Sequence, residues 1–396
     1  MNLKDIVAIS ACRTPMGNFG GTLKNMDSYT IGAAAIKAAV ERAGLKPSDV
    51  QDVILGSCRQ AGNGVNPART ASVLGGIPKS VPAITLNMAC PSGMRAIAMA
   101  SQQIRLGDHE VVLVGGFDSM STIPFLLKGA RWAGFKMGDR KLEDGWSDSV
   151  DRVIGQGMGQ TAENLVEKYQ LTRLEMDEFA ANSHNKAHQA WEKGLFAGEV
   201  VPIMVPPEGK GEPVAFTKDE TIRWPIDVEK MGKLPAAFKK DGSVTAGNSC
   251  GMSDGACALI FTSRQKAAAL GVKPLFSLVS YSQVAVDNET MGEGPGVSIP
   301  AALKNSGMTL SDMDLIEVNE AFAAQMLANQ RMLNWNPEKV NVNGGAIALG
   351  HPTGISGARI VTTLYYALKN HNKETGVAAI CGGGGVSMAM VIKREL

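Results

Sequence analysis

Ser92-Gly93-Met94-Arg95, at the head of an alanine-rich stretch, returns as Ser356-Gly357-Ala358-Arg359, a shift of 264 residues (356 − 92). Reading outward, two more matches keep nearly this shift. Gly44 before Leu45-Lys46-Pro47-Ser48-Asp49 answers to Gly307 before Met308-Thr309-Leu310-Ser311-Asp312, a shift of 263 (307 − 44). Val111-Val112-Leu113-Val114-Gly115-Gly116 answers to Val377-Ala378-Ala379-Ile380-Cys381-Gly382, a shift of 266 (377 − 111). Three matches at nearly one offset identify an internal duplication.

Residues 119–249 find no partner in this register and read as an insertion within the first half. They carry Arg131-Trp132, Arg223-Trp224 and the turn-rich Pro206-Pro207. The expected plan is an N-terminal half of residues 1–118 plus 250–270, an inserted loop domain at 119–249, and a C-terminal half at 271–396. Within a half, β-rich runs alternate with helical stretches. Ile6-Val7-Ala8-Ile9, Val53-Ile54-Leu55-Gly56 and Val111 to Val114 read as strands. Tyr29 to Ala43, stopped by Gly44, and Arg95 to Arg105 read as helices. The alternation predicts an α/β architecture, mixed sheets covered by helices.

With 396 residues the chain is long enough for two or three domains. Its 39 basic and 38 acidic residues nearly balance, which gives no electrostatic footprint for nucleic acid or an anionic membrane. No run nears the ~18 uninterrupted apolar residues of a membrane helix. The start, Met1-Asn2-Leu3-Lys4-Asp5, lacks the pattern of a secretory leader. The end, Lys393-Arg394-Glu395-Leu396, is only distantly similar to an ER-retention tail. A cytoplasmic location is expected. The six cysteines are scattered, with no Cys-x-x-Cys pair, so zinc is not expected and most should be small core residues. His109, His184, His188 and His371 lie in polar segments and are expected to be solvated. His184 and His188 have the i, i+4 spacing of a metal pair, but no third ligand is evident.

Cys90 stands out by context. Pro91 follows it and a helical stretch follows Pro91, so the thiol sits near a helix N-terminus. There the dipole and free N–H groups favour a thiolate nucleophile. A buried structural cysteine is the plainer reading of this motif alone.

Four motifs together resemble the thiolases. Asn87-x-x-Cys90-x-Ser92-Gly93 resembles their nucleophile motif, and Asn319-Glu320-Ala321-Phe322-Ala323 the second signature. Gly344 to Arg359, containing Gly350-His351-Pro352-Thr353-Gly354, is similar to the third, and Cys381-x-Gly383-Gly384 to the fourth. The resemblance spans the chain, and includes Met158-Gly159, Thr161-Ala162-Glu163-Asn164 and Thr245-Ala246-Gly247-Asn248. It implies a duplicated thiolase-like fold, two mixed-sheet halves stacked in αβαβα layers.

It further implies an acetyl-CoA C-acetyltransferase, joining two acetyl-CoA into acetoacetyl-CoA and CoA through an acyl-cysteine. The alternative is a degradative 3-ketoacyl-CoA thiolase acting on longer or bulkier chains. By resemblance His351 takes the proton of Cys90, the acyl acceptor, and Cys381 removes the methyl proton of the second acetyl-CoA. His351 with a water on Asn319 would form one oxyanion site, the N–H groups of Cys90 and Gly383 the other. Arg223, Met158, Phe238, Ser249, Cys250, Met291 and Phe322 would contact CoA. Coenzyme A is then a substrate, acyl-CoA the partner, no cofactor or metal is required, and a homotetramer or homodimer is expected.

The sequence departs from that pattern at Gly157, where biosynthetic members commonly have histidine, and at Cys250, usually serine. Asp118 stands where glutamate is usual, and Ser387 where glycine closes the fourth motif. A decarboxylating ketoacyl-synthase shares the duplicated fold but normally lacks a second cysteine such as Cys381. A non-catalytic scaffold or thiol-redox protein would not require His351 and the Asn319-Glu320 motif.

Overall fold

Ile6–Arg13 (β1) is buried along its whole length and forms the middle of a ten-stranded sheet. The computed structural model describes residues 3–396; Met1 and Asn2, part of the start read above for a leader, lie outside the described residues. The other principal elements, in chain order, are α1 (Ser28–Ala43), β2 (Asp52–Gly56), β3 (Ala83–Leu86), α2 (Ser92–Leu106) and β4 (Val111–Ser119). There follow α3 (Met158–Tyr169), α4 (Arg173–Glu192), β5 (Ser253–Ser263), β6 (Phe276–Ala285), α5 (Gly294–Ser306) and β7 (Leu315–Val318). The chain ends with α6 (Ala323–Leu333), α7 (Ser356–Asn370), β8 (Thr375–Cys381) and β9 (Val386–Arg394).

The sheet runs β7-β8-β9-β6-β1-β5-β4-β2-β3, and the tenth strand, the two-residue Gly17–Asn18, pairs off this path with β5. Its two arms mirror each other. On one side β1, β5 and β4 are antiparallel neighbours and β2 joins parallel to β4. On the other, β6, β9 and β8 are antiparallel and β7 joins parallel to β8. The arms meet where β1 pairs with β6, at Val7 with Ser277 and Ala8 with Phe276. Even the register irregularity repeats, between Ala8 and Ser10 in β1 and between Leu278 and Ser280 in β6.

This pairing corrects the strand register of the duplication. Val53 of β2 faces Leu113, and Ile316 of β7 faces Val377. The strand copies are therefore shifted by 264 (377 − 113), as the helices are. Cys381 answers to Phe117 (381 − 117 = 264), not to Gly115 as the sequence match suggested. A run of valine and alanine slides against another with no penalty in resemblance; only the ladder fixes which residue faces which.

The repeated serine–glycine pair explains the middle of the molecule. The helices α2 and α7 pack on each other, and each touches strands of both arms. A Cβ on Gly93 would sit 2.7 Å from the backbone nitrogen of Ala358, and one on Gly357 would sit 2.6 Å from that of Met94. Only glycine permits so close an approach. The two helix starts are thus pressed together, and so are the turns that precede them. With α1 covering β5 and β4, and α5 covering β6 and β9, the layers run helix, sheet, helix pair, sheet, helix.

The segment between β4 and β5 contains more than loops. Its helices α3 and α4 pack on α6, and α4 also on the short helix Ala346–Leu349, both from the C-terminal half. It is also tied to β1, where the buried Arg13 meets Glu199 at 2.6 Å and Asp219 at 2.7 Å. Arg13 has both carboxylates around it, the arrangement a buried cation needs. Among the described residues no helix is long and apolar enough to cross a membrane.

Candidate active site

The turn before α2 is held by its own side chains. Ser92 Oγ accepts the N–H of Met88 at 2.8 Å and donates to the carbonyl of Ala89 at 2.6 Å. Cys58 Sγ donates to the same carbonyl at 3.1 Å. Ala89 adopts φ = 51°, a strained conformation for a residue with a Cβ. Cys90 follows, with Pro91 as the N-cap of α2.

The equivalent turn before α7 carries His351. Its backbone N–H donates to Ser253 Oγ at 2.7 Å, and its Nε2 lies 3.2 Å from Cys90 Sγ. On the other side of the ring, Nδ1 lies 2.6 Å from Ser356 Oγ. Ser356 spends its only proton on the carbonyl of Pro352, at 3.0 Å. The network therefore assigns the imidazole proton to Nδ1, donated to Ser356, and leaves Nε2 as a free base facing the thiol. Asn319 Nδ2 lies 3.5 Å from Nδ1, but with the proton on Nδ1 both atoms are donors and the pair forms no hydrogen bond. Behind it, Arg359 donates to Asn319 Oδ1 at 3.4 Å and to Glu317 at 3.2 Å.

Burial, with the charges of Arg359 and Arg59, depresses His351 to about 3, so the ring is neutral. Burial pushes the Cys90 thiol up to about 11, against the pull of the Gly383 N–H, Arg59 and its own N–H. This corrects the expectation of a thiolate favoured by the helix start. Desolvation outweighs the dipole, and the resting pair is neutral thiol and neutral imidazole. A proton must move as the sulfur attacks.

Cys381 closes β8, opposite Ser387 in the β8–β9 ladder. It is buried, and burial first, then the neighbouring Cys90 and Cys250 thiols, raise its own thiol. Ser387 Oγ donates to the carbonyl of Ile380 at 2.9 Å, so the residue in place of the usual glycine leaves Cys381 free. After Cys381 the chain turns through Gly382 to Gly385. A Cβ on Gly382 would meet the Pro91 ring at 2.5 Å, so this glycine serves the packing of one cysteine turn on the other.

Asp118, buried at the end of β4, gathers both turns. Its carboxylate accepts Ser57 Oγ, the N–H groups of Cys58 and Arg59, Thr353 Oγ1 at 3.0 Å and the N–H of Gly354 at 2.5 Å. The sequence marked Asp118 only as a departure. The roles of Asp118, Ser253 and Arg59 carry no local motif; Ser356 and Arg359 lie in the repeated Ser-Gly-x-Arg and the third signature, but nothing there assigned them these partners.

Of the residues expected to contact CoA, Met291 and Phe322 share one apolar cluster with the catalytic Cys381, and Met158 packs against it. Phe238 crosses Phe322 edge-on, with ring centres 6.0 Å apart. Cys250 donates its N–H to Ala321, and burial raises its thiol to about 12. Ser249 is turned inward, its hydroxyl given to the carbonyl of Thr245 at 2.7 Å. Arg223 is placed by its backbone, whose N–H donates to His184 Nδ1 at 3.1 Å. His184 is therefore buried rather than solvated, and lowered to about 4 by burial. His188 stacks on Trp224 at 4.2 Å, so the two rings that were spaced like a metal pair have separate structural partners.

The thiolase N-terminal domain family model matches residues 6–265, and the thiolase C-terminal domain model matches residues 272–394. The chain belongs to the thiolase family. It is 46% identical over 395 residues to an acetyl-CoA acetyltransferase of Cupriavidus necator, covering 99% of this chain and 100% of that one. Among solved structures, the acetyl-CoA acetyltransferase of Bacillus anthracis aligns with a TM-score of 0.96 at 44% identity, over 99% of both chains. Human mitochondrial 3-ketoacyl-CoA thiolase in complex with CoA aligns at 0.95 and 40% identity, over 100% of this thiolase and 99% of the human chain.

Proposed function

We propose that this thiolase is an acetyl-CoA C-acetyltransferase, condensing two acetyl-CoA into acetoacetyl-CoA plus CoA and running the reverse thiolysis. The observation that carries the reading is the 3.2 Å approach of the unprotonated His351 Nε2 to Cys90 Sγ, with the Gly383 N–H on the same sulfur.

Each proton has a place. His351 Nε2 takes the Cys90 proton as the sulfur attacks the thioester carbonyl. The oxygen charge that develops is met by the N–H groups of Cys90 and Gly383, a type of donor worth about 2.7–4 kcal/mol of barrier. CoA leaves as a thiolate and takes the proton of Cys381, a thiol that burial keeps protonated at rest. Cys381 is then ionised and removes a proton from the methyl group of the second acetyl-CoA. The carbanion attacks the acyl carbon, Cys90 leaves, and His351 returns its proton to Cys90. All three groups regain their starting states, which is the balance covalent catalysis requires. His351 and Asn319 face the oxygen of the second thioester in this scheme.

CoA is a substrate here, no cofactor or metal takes part, and the working unit is a cytoplasmic homotetramer or homodimer. Steady-state condensation and thiolysis should give the parallel double-reciprocal lines of a ping-pong mechanism. Intersecting lines, or no turnover of acetoacetyl-CoA, would refute the proposal.

One observation favours longer acyl chains. A Cβ on Gly157, where biosynthetic members commonly carry histidine, would meet only Gln160, at 4.0 Å. The space suits the degradative reading.

A further inference from the structure

We infer that Arg59 receives a carboxylate at the far end of a longer acyl chain, so that among chains longer than acetoacetyl the CoA thioesters of dicarboxylic acids and their 3-oxo derivatives are accepted in preference to uncharged ones of the same length. The inference rests on the thiolase reading of Cys90 and extends it to the substrate class.

Buried arginines in this protein have carboxylates beside them. Arg13 meets Glu199 and Asp219, and Arg359 meets Glu317. Arg59 differs. Its guanidinium lies over the Trp146 ring, 4.4 Å from the centroid, and Nη2 donates to Ser149 Oγ at 2.7 Å. Its Nε is buried without a hydrogen-bond partner, and no carboxylate of the described residues forms an ion pair with it. A buried polar group left unmatched costs about 1–3 kcal/mol, and a guanidinium presents a fork that fits a carboxylate in two parallel bonds.

The fork is also in the right place. Asp118 holds the Arg59 N–H and the Gly354 N–H of the His351 turn with one carboxylate. The preceding residue, Cys58, bonds the carbonyl of Ala89, next to Cys90. The charge of Arg59 reaches both Cys90 and His351 and lowers each. The cation thus acts on the two residues that handle the acyl carbon. Room for the chain is given by Gly157, which bridges to Val150, the neighbour of Ser149.

The reaction is ordinary thiolysis: a 3-oxo-dicarboxylyl-CoA plus CoA gives acetyl-CoA and a dicarboxylyl-CoA two carbons shorter, through a carboxyacyl-Cys90. The test compares kcat/KM of the full chain for 3-oxoadipyl-CoA and 3-oxopimelyl-CoA with 3-oxohexanoyl-CoA and 3-oxoheptanoyl-CoA. We expect the carboxylated ester to lead by tenfold or more for at least one length. In Arg59→Leu that ratio should fall at least tenfold, and Arg59→Lys should recover part of it. A wild-type ratio at or below one for both lengths, or a ratio that Arg59→Leu does not change, overturns the inference. Should the variants fail to fold, the wild-type ratio decides alone. Intact-mass spectrometry with each ester separates the two levels: no acyl adduct on Cys90 from any of them would defeat the thiolase reading itself.

Discussion

His351 Nε2 lies 3.2 Å from Cys90 Sγ although 261 residues separate them. The contact exists because α2 and α7, copies of one helix, cross at Gly93 and Gly357 with their starts together. Each copy uses its first serine to fix its own turn. In one half Ser92 holds the Cys90 turn; in the other Ser356 holds the His351 ring. Duplication supplied one framework, and different residues on the two turns made an acid–base pair of it.

Ser356→Ala removes the acceptor that keeps the imidazole proton on Nδ1. The ring can then turn or change tautomer, and the base facing Cys90 is lost for part of the time. We expect kcat to fall roughly 10- to 100-fold, with KM for acetyl-CoA within about threefold of wild type, since Ser356 is behind the ring. A kcat equal to wild type would show that Ser356 does not set the tautomer.

The pH behaviour follows from a neutral resting pair. The lowered His351, at about 3, stays an unprotonated base throughout the usual range. Thiolysis kcat/KM should therefore be flat from pH 7 down to pH 5. An imidazole with the ordinary pKa of about 6.5 would lose most of its activity over that interval. The raised Cys90, at about 11, is a thiol until high pH. Its alkylation by iodoacetamide should climb about tenfold per pH unit through pH 9; a plateau beginning below pH 8 would mean a thiolate–imidazolium pair.

Asp118→Glu restores the residue usual in the resembling enzymes, yet it should destabilise this chain. A Cβ on Gly354 would already lie 2.8 Å from Asp118 Oδ2, and five donors fit the shorter carboxylate. An added methylene in so filled a space typically costs about 1–3 kcal/mol. Urea unfolding should show a lower midpoint with an unchanged slope. An equal or higher midpoint would contradict the packing argument.

Gly382→Ala tests the seat of one cysteine turn on the other. The new methyl meets the Pro91 ring, 2.5 Å from Cδ, and must push the Cys90 turn away from Cys381. Condensation should suffer more than acylation of Cys90 alone, because only condensation needs both thiols. Equal losses in the two, read by turnover and by intact mass, would count against this geometry.

How much of this was written in the sequence depends on the residue. Cys90, His351 and Cys381 stand in motifs of glycine, proline and serine that few folds reproduce, and the structure brings them to one place. The duplication showed in the helix starts, where Ser-Gly is forced by the crossing of α2 and α7. It was misread on β4 and β8, because Val111–Val114 and Val377–Ile380 match in several registers and only the ladder distinguishes them. His184 looked solvated among polar neighbours, but its helix turns that side toward Arg223. Arg59 gave no signal, and Asp118 showed only as a departure from the usual glutamate: a lone charge has no pattern until the fold supplies its neighbours.

The division of labour between the two thiols is tested most directly by deuterium exchange into the methyl group of acetyl-CoA, followed by NMR in Cys381→Ala. Intact mass is taken in parallel to verify acetylation of Cys90. An acetylated Cys90 and exchange no faster than in the absence of enzyme are expected. Exchange at the wild-type rate with Cys90 acetylated would contradict that division of labour, since the methyl proton would then leave to some base other than Cys381.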